Sequence, residues 1–151
     1  MSAIPSHARS QPLPQNGIWT PCDAATDRSA WYPALAKFFA YWLKIRPSAD
    51  RLPGRQHFDP VDIAEVMPRV WLLDVDRSEG LRFRYRLVGT REVETLQREV
   101  TGIWFDDVHP RLKEKPELLD RYRFMVEKGK PTYRLGFINF NHKREHERVE
   151  N

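Results

Sequence analysis

The stretch Leu81-Arg-Phe-Arg-Tyr-Arg-Leu87 limits the possible fold more than any other part of the chain. Leu81, Phe83, Tyr85 and Leu87 recur at every second position, with Arg82, Arg84 and Arg86 between them. In an extended strand that alternation puts the apolar side chains on one face and the cations on the other, a period no helix produces. Such a strand needs a partner in the ladder and a layer over its apolar face. Val70–Val75 supplies the partner, and Asp76-Arg-Ser-Glu-Gly80 has the composition of the turn between them.

The remaining segments read as cover for that face. From about Ser29 to Ile45, Trp31, Leu35, Phe38, Phe39, Trp42 and Ile45 recur at spacings of three and four, which predicts a helix over about 29–46. Pro33 fits there only in the first turn. Tyr32, Ala36, Ala40 and Leu43 widen the apolar arc, so two partner surfaces are expected: the domain's own sheet and a second copy of the helix. Pro47 and Pro53 bracket an irregular connection. Asp59-Pro60-Val-Asp62 predicts a helix start capped by Asp59, with Ile63, Val66 and Met67 inward and Pro68 as the stop. After the two strands, Thr90 is placed to cap a short helix over about Arg91–Gln97. Gly102 marks a turn and Trp104-Phe105 an aromatic anchor. Leu118, Leu119, Tyr122, Met125 and Val126 form a helical stripe from about Glu114 or Pro116 to Lys128, stopped by Gly129. Thr132–Phe140 is a strand whose Tyr133, Leu135 and Phe137 oppose Arg134, Gly136 and Ile138. Asn141–Arg144 turns the chain into a partial last strand, Glu145–Val149, cut short at Asn151 as in a fragment.

This order predicts an α+β fold: an antiparallel sheet with helices packed on one face and an N-terminal helical extension. Residues 1–26, with Pro5, Pro12, Pro14 and Pro21, are expected to be flexible, Ile18 and Trp19 excepted as a docking pair. Residues 27–151 are expected as one domain with its core over about 57–151. A length of 151 residues suits that size. Mean hydropathy is −0.67, and no apolar run approaches the roughly 20 residues of a spanning helix. The lone cysteine, Cys22, excludes an internal disulfide and a thiolate metal cluster; it is expected outside the folded region, and cytoplasmic residence follows as the default. The 25 basic and 21 acidic residues leave a net charge of +4, spread rather than concentrated in a basic block.

The pattern Arg82-Phe-Arg-Tyr-Arg-Leu-Val-Gly-Thr90 with Arg98-Glu-Val-Thr-Gly102 resembles bacterial PAS sensory domains. The resemblance extends from about Trp31 to the C-terminus and is strongest to the alphaproteobacterial subgroup, which begins with a Trp-bearing helix and a segment like Leu52-Pro-Gly-Arg55 and Phe58-Asp-Pro-Val-Asp-Ile63. Relatives usually carry Leu-x-Gly-Arg after the short helix; here Leu96 runs directly into Gln97-Arg98, so a differently shaped turn is expected. The resemblance implies a sensory or protein-interaction domain without catalysis. It also implies that no flavin chemistry of the cysteine-dependent kind occurs, since no cysteine lies in the helical segment where that branch needs one.

Phe83, Tyr85, Leu87, Trp104, Tyr122, Met125, Tyr133 and Phe137 are expected to converge between sheet and helices, as a solid core or as the lining of a small-molecule pocket. Trp31, Leu35, Phe38, Phe39 and Trp42 are the expected homodimer contact, with a signalling protein or a small molecule as the other partner. No catalytic residue and no metal ligand is assigned, and no cofactor is named. His57, beside Phe58, is a packed or surface histidine rather than a haem ligand, and His142 and His146 are loop histidines rather than a metal pair. Two alternatives remain. Asp106-Asp-Val-His109 holds the groups of a general acid–base site in a small enzyme, and the Arg82/Arg84/Arg86 row, with Arg134 beside it, has the charge for weak nucleic-acid binding.

Overall fold

A computed structural model describes residues 17–137 and 148–150, Phe137 and residues 148–150 through their backbone. Its elements in chain order are β1 (Ile18–Pro21), α1 (Pro33–Ile45), β2 (Trp71–Asp76), β3 (Arg82–Val88), α2 (Thr90–Leu96), α3 (Phe105–Val108), α4 (Arg111–Glu114), α5 (Asp120–Lys128), β4 (Thr132–Phe137) and β5 (Arg148–Glu150). The fold is α+β with antiparallel ladders, as the alternation predicts. The stretch expected as one domain divides into two compact units. One joins the described residues up to Phe58 to those from Glu117 onward, and the other is Asp59–Pro116. The expected 141–144 turn, His142 and His146 lie outside the described residues.

The first unit is built on β4, the middle strand of a sheet ordered β1-β4-β5. Ile18 pairs with Leu135, Trp19 with Arg134 and Thr20 with Tyr133. Residues directly opposite in an antiparallel ladder share a face. Ile18, Tyr133 and Leu135 therefore look one way, into a core completed by Cys22 and by Trp31, Leu35, Phe39, Trp42 and Leu43. Trp31 lies flat on Tyr133, rings 4.5 Å apart and 8° from parallel. Trp19, Thr132 and Arg134 look the other way, where Trp19 meets Phe124 at 5.3 Å and the Arg121 Nε donates to the Thr132 hydroxyl at 2.8 Å. Thus α1 covers one face of the sheet and α5 the other.

This corrects two expectations for residues 1–26. Ile18–Pro21 is a ladder strand, and Cys22, 3% exposed, belongs to the core. The Cys22 N–H donates to the Pro131 carbonyl at 2.8 Å, and burial raises the thiol pKa. Helix α1 starts with Pro33 at its first position, as steric rules require. Its wide apolar arc has a second cover inside the same unit: Tyr41, 8% exposed, meets Phe58 edge-on at 6.0 Å. Lys37, Ala40 and Lys44 take the solvent side. The expected 114–128 helix is interrupted; a 3₁₀ turn over Pro116–Leu119 precedes α5. Gly129 ends α5 in the left-handed region at φ 60°, its N–H donating to the Met125 carbonyl.

In the second unit, β2 and β3 form the predicted hairpin, with a bulge that pairs Leu72 with Leu87 but Leu73 with Tyr85. Phe83 and Tyr85 are 4% and 5% exposed, whereas Arg84 and Arg86 face solvent. The expected Asp59 helix is a 3₁₀ turn over Pro60–Ile63, with the Asp59 carboxylate accepting from the Val61 N–H at 2.9 Å. A second such turn, Met67–Arg69, incorporates Pro68 instead of stopping at it. Ile63 and Val66 are buried as expected.

Gly89, not Thr90, occupies the cap of α2, and Thr90 is its first residue. The reason is close backbone approach. A Cβ on Gly89 would lie 2.4 Å from the carbonyl oxygens of both Met67 and Pro68, while the Gly89 N–H donates to the Val70 carbonyl at 2.7 Å. Gly89→Ala is expected to destabilise the protein by about 2–3 kcal/mol in urea unfolding, the cost of forcing an atom into packed backbone. Helix α2 ends at Gln97, which adopts φ 57°. A side chain there is strained by about 1 kcal/mol. Gln97→Gly is therefore expected to raise the urea midpoint, a gain of about 0.5–1 kcal/mol.

Candidate functional site

The Asp106–His109 segment is where the sequence concentrates groups of catalytic type, and the structure assigns each of them a neighbour. Glu99 shapes the approach, its Oε1 accepting from the N–H groups of Val100 and Thr101 and from the Thr101 hydroxyl. Gly102 then turns the chain at φ 83°. The Gly102 N–H donates to the Tyr85 carbonyl at 2.6 Å, and the Tyr85 N–H donates to the Ile103 carbonyl at 3.0 Å. The segment is thereby stitched to β3, and α3 starts with Phe105 2% exposed.

Neither Asp106 nor Asp107 caps that helix; Trp104 is the cap, and both acids sit in the first turn, where negative charge suits the helix dipole. Arg82 reaches both, Nε to Asp106 at 3.0 Å and Nη2 to Asp107 at 3.3 Å. Lys113 holds the other oxygen of Asp107 at 2.9 Å, and this hydrogen bond keeps the Asp107 carboxyl below its usual range. The Arg82 guanidinium also lies 4.2 Å from the Trp104 ring centre, with that of Arg84 at 5.3 Å. Arg86 bridges to Asp74 at 3.1 Å. The nucleic-acid alternative required these arginines exposed and unpaired, and Arg82 and Arg86 are both paired. Arg134 belongs to β4 in the other unit and is 6% exposed.

His109 is 6% exposed. Its Nε2 and the Tyr85 hydroxyl share a hydrogen bond of 2.8 Å, and Phe105 stands against both rings, at 5.4 Å from Tyr85 and 4.8 Å from His109. Burial, with Arg98 adding repulsion, lowers the His109 pKa to about 4. The imidazole is thus held neutral among aromatic rings at pH 7, and the two aspartates are engaged by Arg82 and Lys113. In the other unit, His57 Nδ1 accepts from the Gly54 N–H at 2.9 Å. Among the described residues, no group of three or more His, Cys, Asp or Glu side chains is arranged to hold a metal ion, and no helix is long and apolar enough to cross a membrane.

The eight residues expected to line a pocket divide between the units. Phe83, Tyr85, Leu87 and Trp104 lie in the second, Tyr122, Met125, Tyr133 and Phe137 in the first. Tyr133 packs toward α1, and Met125 lies on the opposite face, its sulfur accepting from the Thr132 hydroxyl at 3.2 Å. Of the five expected dimer residues, Trp31, Leu35, Phe39 and Trp42 pack into the core of their own unit, and Phe38 is half-buried. The neighbours of His109 escaped sequence reasoning because Tyr85 lies 24 positions away; only the inward phase of β3 pointed to it.

The His109 site makes stability depend on pH. Its folded pKa of about 4 lies below the ordinary 6.5, so between those values the unfolded chain takes up a proton that the folded chain excludes. The His109 contribution is therefore complete above pH 6.5 and is lost progressively as pH falls toward 4, by about 3 kcal/mol in all. Urea unfolding across that range is expected to show this slope in the native sequence and a shallower one in His109→Gln. Equal slopes would contradict it.

Comparison with curated proteins and with solved structures gives no match. The PAS domain family matches residues 31–121, from the tryptophan that stacks on β4 to the arginine of α5 that bonds to it. That span is well over half of the chain and includes the alternating strand, its glycine-capped helix and the Tyr85–His109 segment. The chain belongs to the PAS domain family.

Proposed function

We propose that this protein is a non-catalytic, cytoplasmic sensory module that works as a homodimer and signals by repacking α1 against β4. Family membership supports the sensory or signalling role. The observation that carries the mechanism is the flat stack of Trp31 on Tyr133, reinforced by Phe39 at 5.4 Å from Trp31. Aromatic pairs of this kind add about 0.5–1.5 kcal/mol each beyond their buried area. They tie the start of α1 to the middle strand of the sheet, so an event that biases β4 also biases the helix. A partner or ligand that prefers one packing shifts the population toward it.

The dimer contact centres on Phe38. Phe38 is half-buried and, unlike Trp31, Phe39 and Trp42, does not belong to the core cluster of its own unit, and Tyr32 near the same helix start is 50% exposed. The non-catalytic reading is supported by the engagement of Asp106, Asp107 and His109 with Arg82, Lys113 and Tyr85. A single cysteine, buried in the core, suits a reducing compartment.

Sedimentation velocity at micromolar concentration tests the contact. The native protein is expected to run as a dimer and Phe38→Glu as a folded monomer. Trp42 is left unchanged because it packs in the core. An unchanged profile in the variant, or a monomer in the native protein, would remove the role given to α1.

A further inference from the structure

We propose that the outward face of the β2–β3 hairpin docks an acidic segment of a partner protein, Arg84 gripping its carboxylate and Trp104 taking the apolar residue beside it. Arg84 stands opposite Asp74 in the ladder and opposite Trp104 in an antiparallel bridge on its other side. Directly opposed residues share a face, so Asp74, Arg84 and Trp104 form one row across three chain segments. Tyr85, the next residue of β3, is 5% exposed, which leaves this row on the solvent side. The Arg84 guanidinium lies 5.3 Å from the Trp104 ring centre and that of Arg82 lies 4.2 Å from it, both inside the roughly 6 Å reach of a cation–π contact. One half-buried indole thus carries two guanidinium groups.

The two guanidinium groups differ in what else they hold. Arg82 is engaged by Asp106 and Asp107. The carboxylates of β2 are engaged as well, Asp74 by Arg86 at 3.1 Å and Asp76 by the N–H and hydroxyl of Ser78 at 2.8 and 2.6 Å. Among the described residues, no hydrogen bond reaches the exposed Arg84 guanidinium, and Asp76 acts on it only through space. The ring orients the fork while its donors stay open, so less side-chain freedom is lost on capture. Tryptophan and arginine are also the residue types that dominate protein–protein contacts. The surrounding charge favours a protein segment over a polyanion. Asp74, Asp76, Asp106 and Asp107 lie around the two arginines, so a run of phosphates would meet repulsion beside Arg84. A lone carboxylate next to an apolar side chain reaches Arg84 and Trp104 together.

This inference rests on the sensory reading for its purpose, since it gives the module's protein partner a chemistry. The two fail separately: loss of the α1 contact shows in sedimentation, and loss of this one in side-chain NMR. The full chain is titrated with the end-blocked peptide Leu-Glu-Leu-Glu-Leu, with its Leu-Gln-Leu-Gln-Leu analogue, and with an oligothymidylate, while the Arg84 Nε–H and Trp104 indole N–H signals are followed. Saturable shifts of both are expected with the Glu peptide at a Kd of about 1 mM or below. Binding is expected to be at least about tenfold weaker with the Gln analogue and, read at Trp104, in Arg84→Gln. Should that variant not fold, Arg84→Lys, which keeps the charge but not the fork, is read in the same way. Equal binding of the two peptides, unchanged binding by a folded variant, tighter binding of the oligothymidylate at the same signals, or no saturable shift would overturn the proposal.

Discussion

Tyr85 occupies an inward position of an alternating strand, and the consequences of that placement run through the second unit. Its backbone N–H and carbonyl bind Ile103 and Gly102, its ring meets Phe105, and its hydroxyl reaches His109. One residue thus ties the strand to the turn, the turn to α3, and α3 to the histidine that ends it. Burying an imidazole requires a hydrogen-bond partner and favours its neutral form. The strand supplies the first, and the lowered pKa records the second. A segment that reads as acid–base chemistry in one dimension becomes a joint in three.

The first unit follows a different constraint, the need to cover both faces of β4. Alternation sends Tyr133 and Leu135 toward α1, and Thr132 and Arg134 toward α5. The aromatic face is a packing surface on which Trp31 and Phe39 are fixed. The other face is polar enough to need paired bonds, which Arg121, Thr132 and Met125 form in series. A strand between two chemically unlike layers can respond to a change on either, and that is the physical basis for reading this unit as a transmitter.

Much of this was legible in the sequence. Period-two alternation located β3 and β4 and put Phe83 and Tyr85 opposite Arg84, and Tyr133 opposite Arg134, because successive side chains of a strand point to opposite faces. Local sterics required Pro33 in the first turn of α1, which begins there and not at the expected Ser29, and they located the stop of α5 at Gly129. Other features were hidden because they depend on contacts distant in sequence. Ile18–Pro21 is too short and proline-flanked to read as a strand until β4 is beside it. Cys22 becomes a core residue only with that pairing. The 3₁₀ turns around Pro60 and Pro68 replace a helix whose apolar spacing they share. Gly89 displaced Thr90 as the cap because of the Met67 and Pro68 carbonyls, which local capping rules do not see. At the candidate site, the acids and the histidine were recognised, but their long-range neighbours Arg82 and Tyr85 decide what they do.

The central claim is that the most catalyst-like residue of this PAS domain is a structural member, held neutral by Tyr85 and its aromatic surroundings. Nitrogen-resolved NMR of the His109 side chain across a pH titration tests it directly. The account predicts a single neutral tautomer from pH 8 down to about 5, with protonation only near the folded pKa of about 4 and with loss of the Tyr85 coupling. A His109 ring that titrates near 6.5 in the folded protein would contradict it and return the Asp106–His109 segment to consideration as an acid–base site.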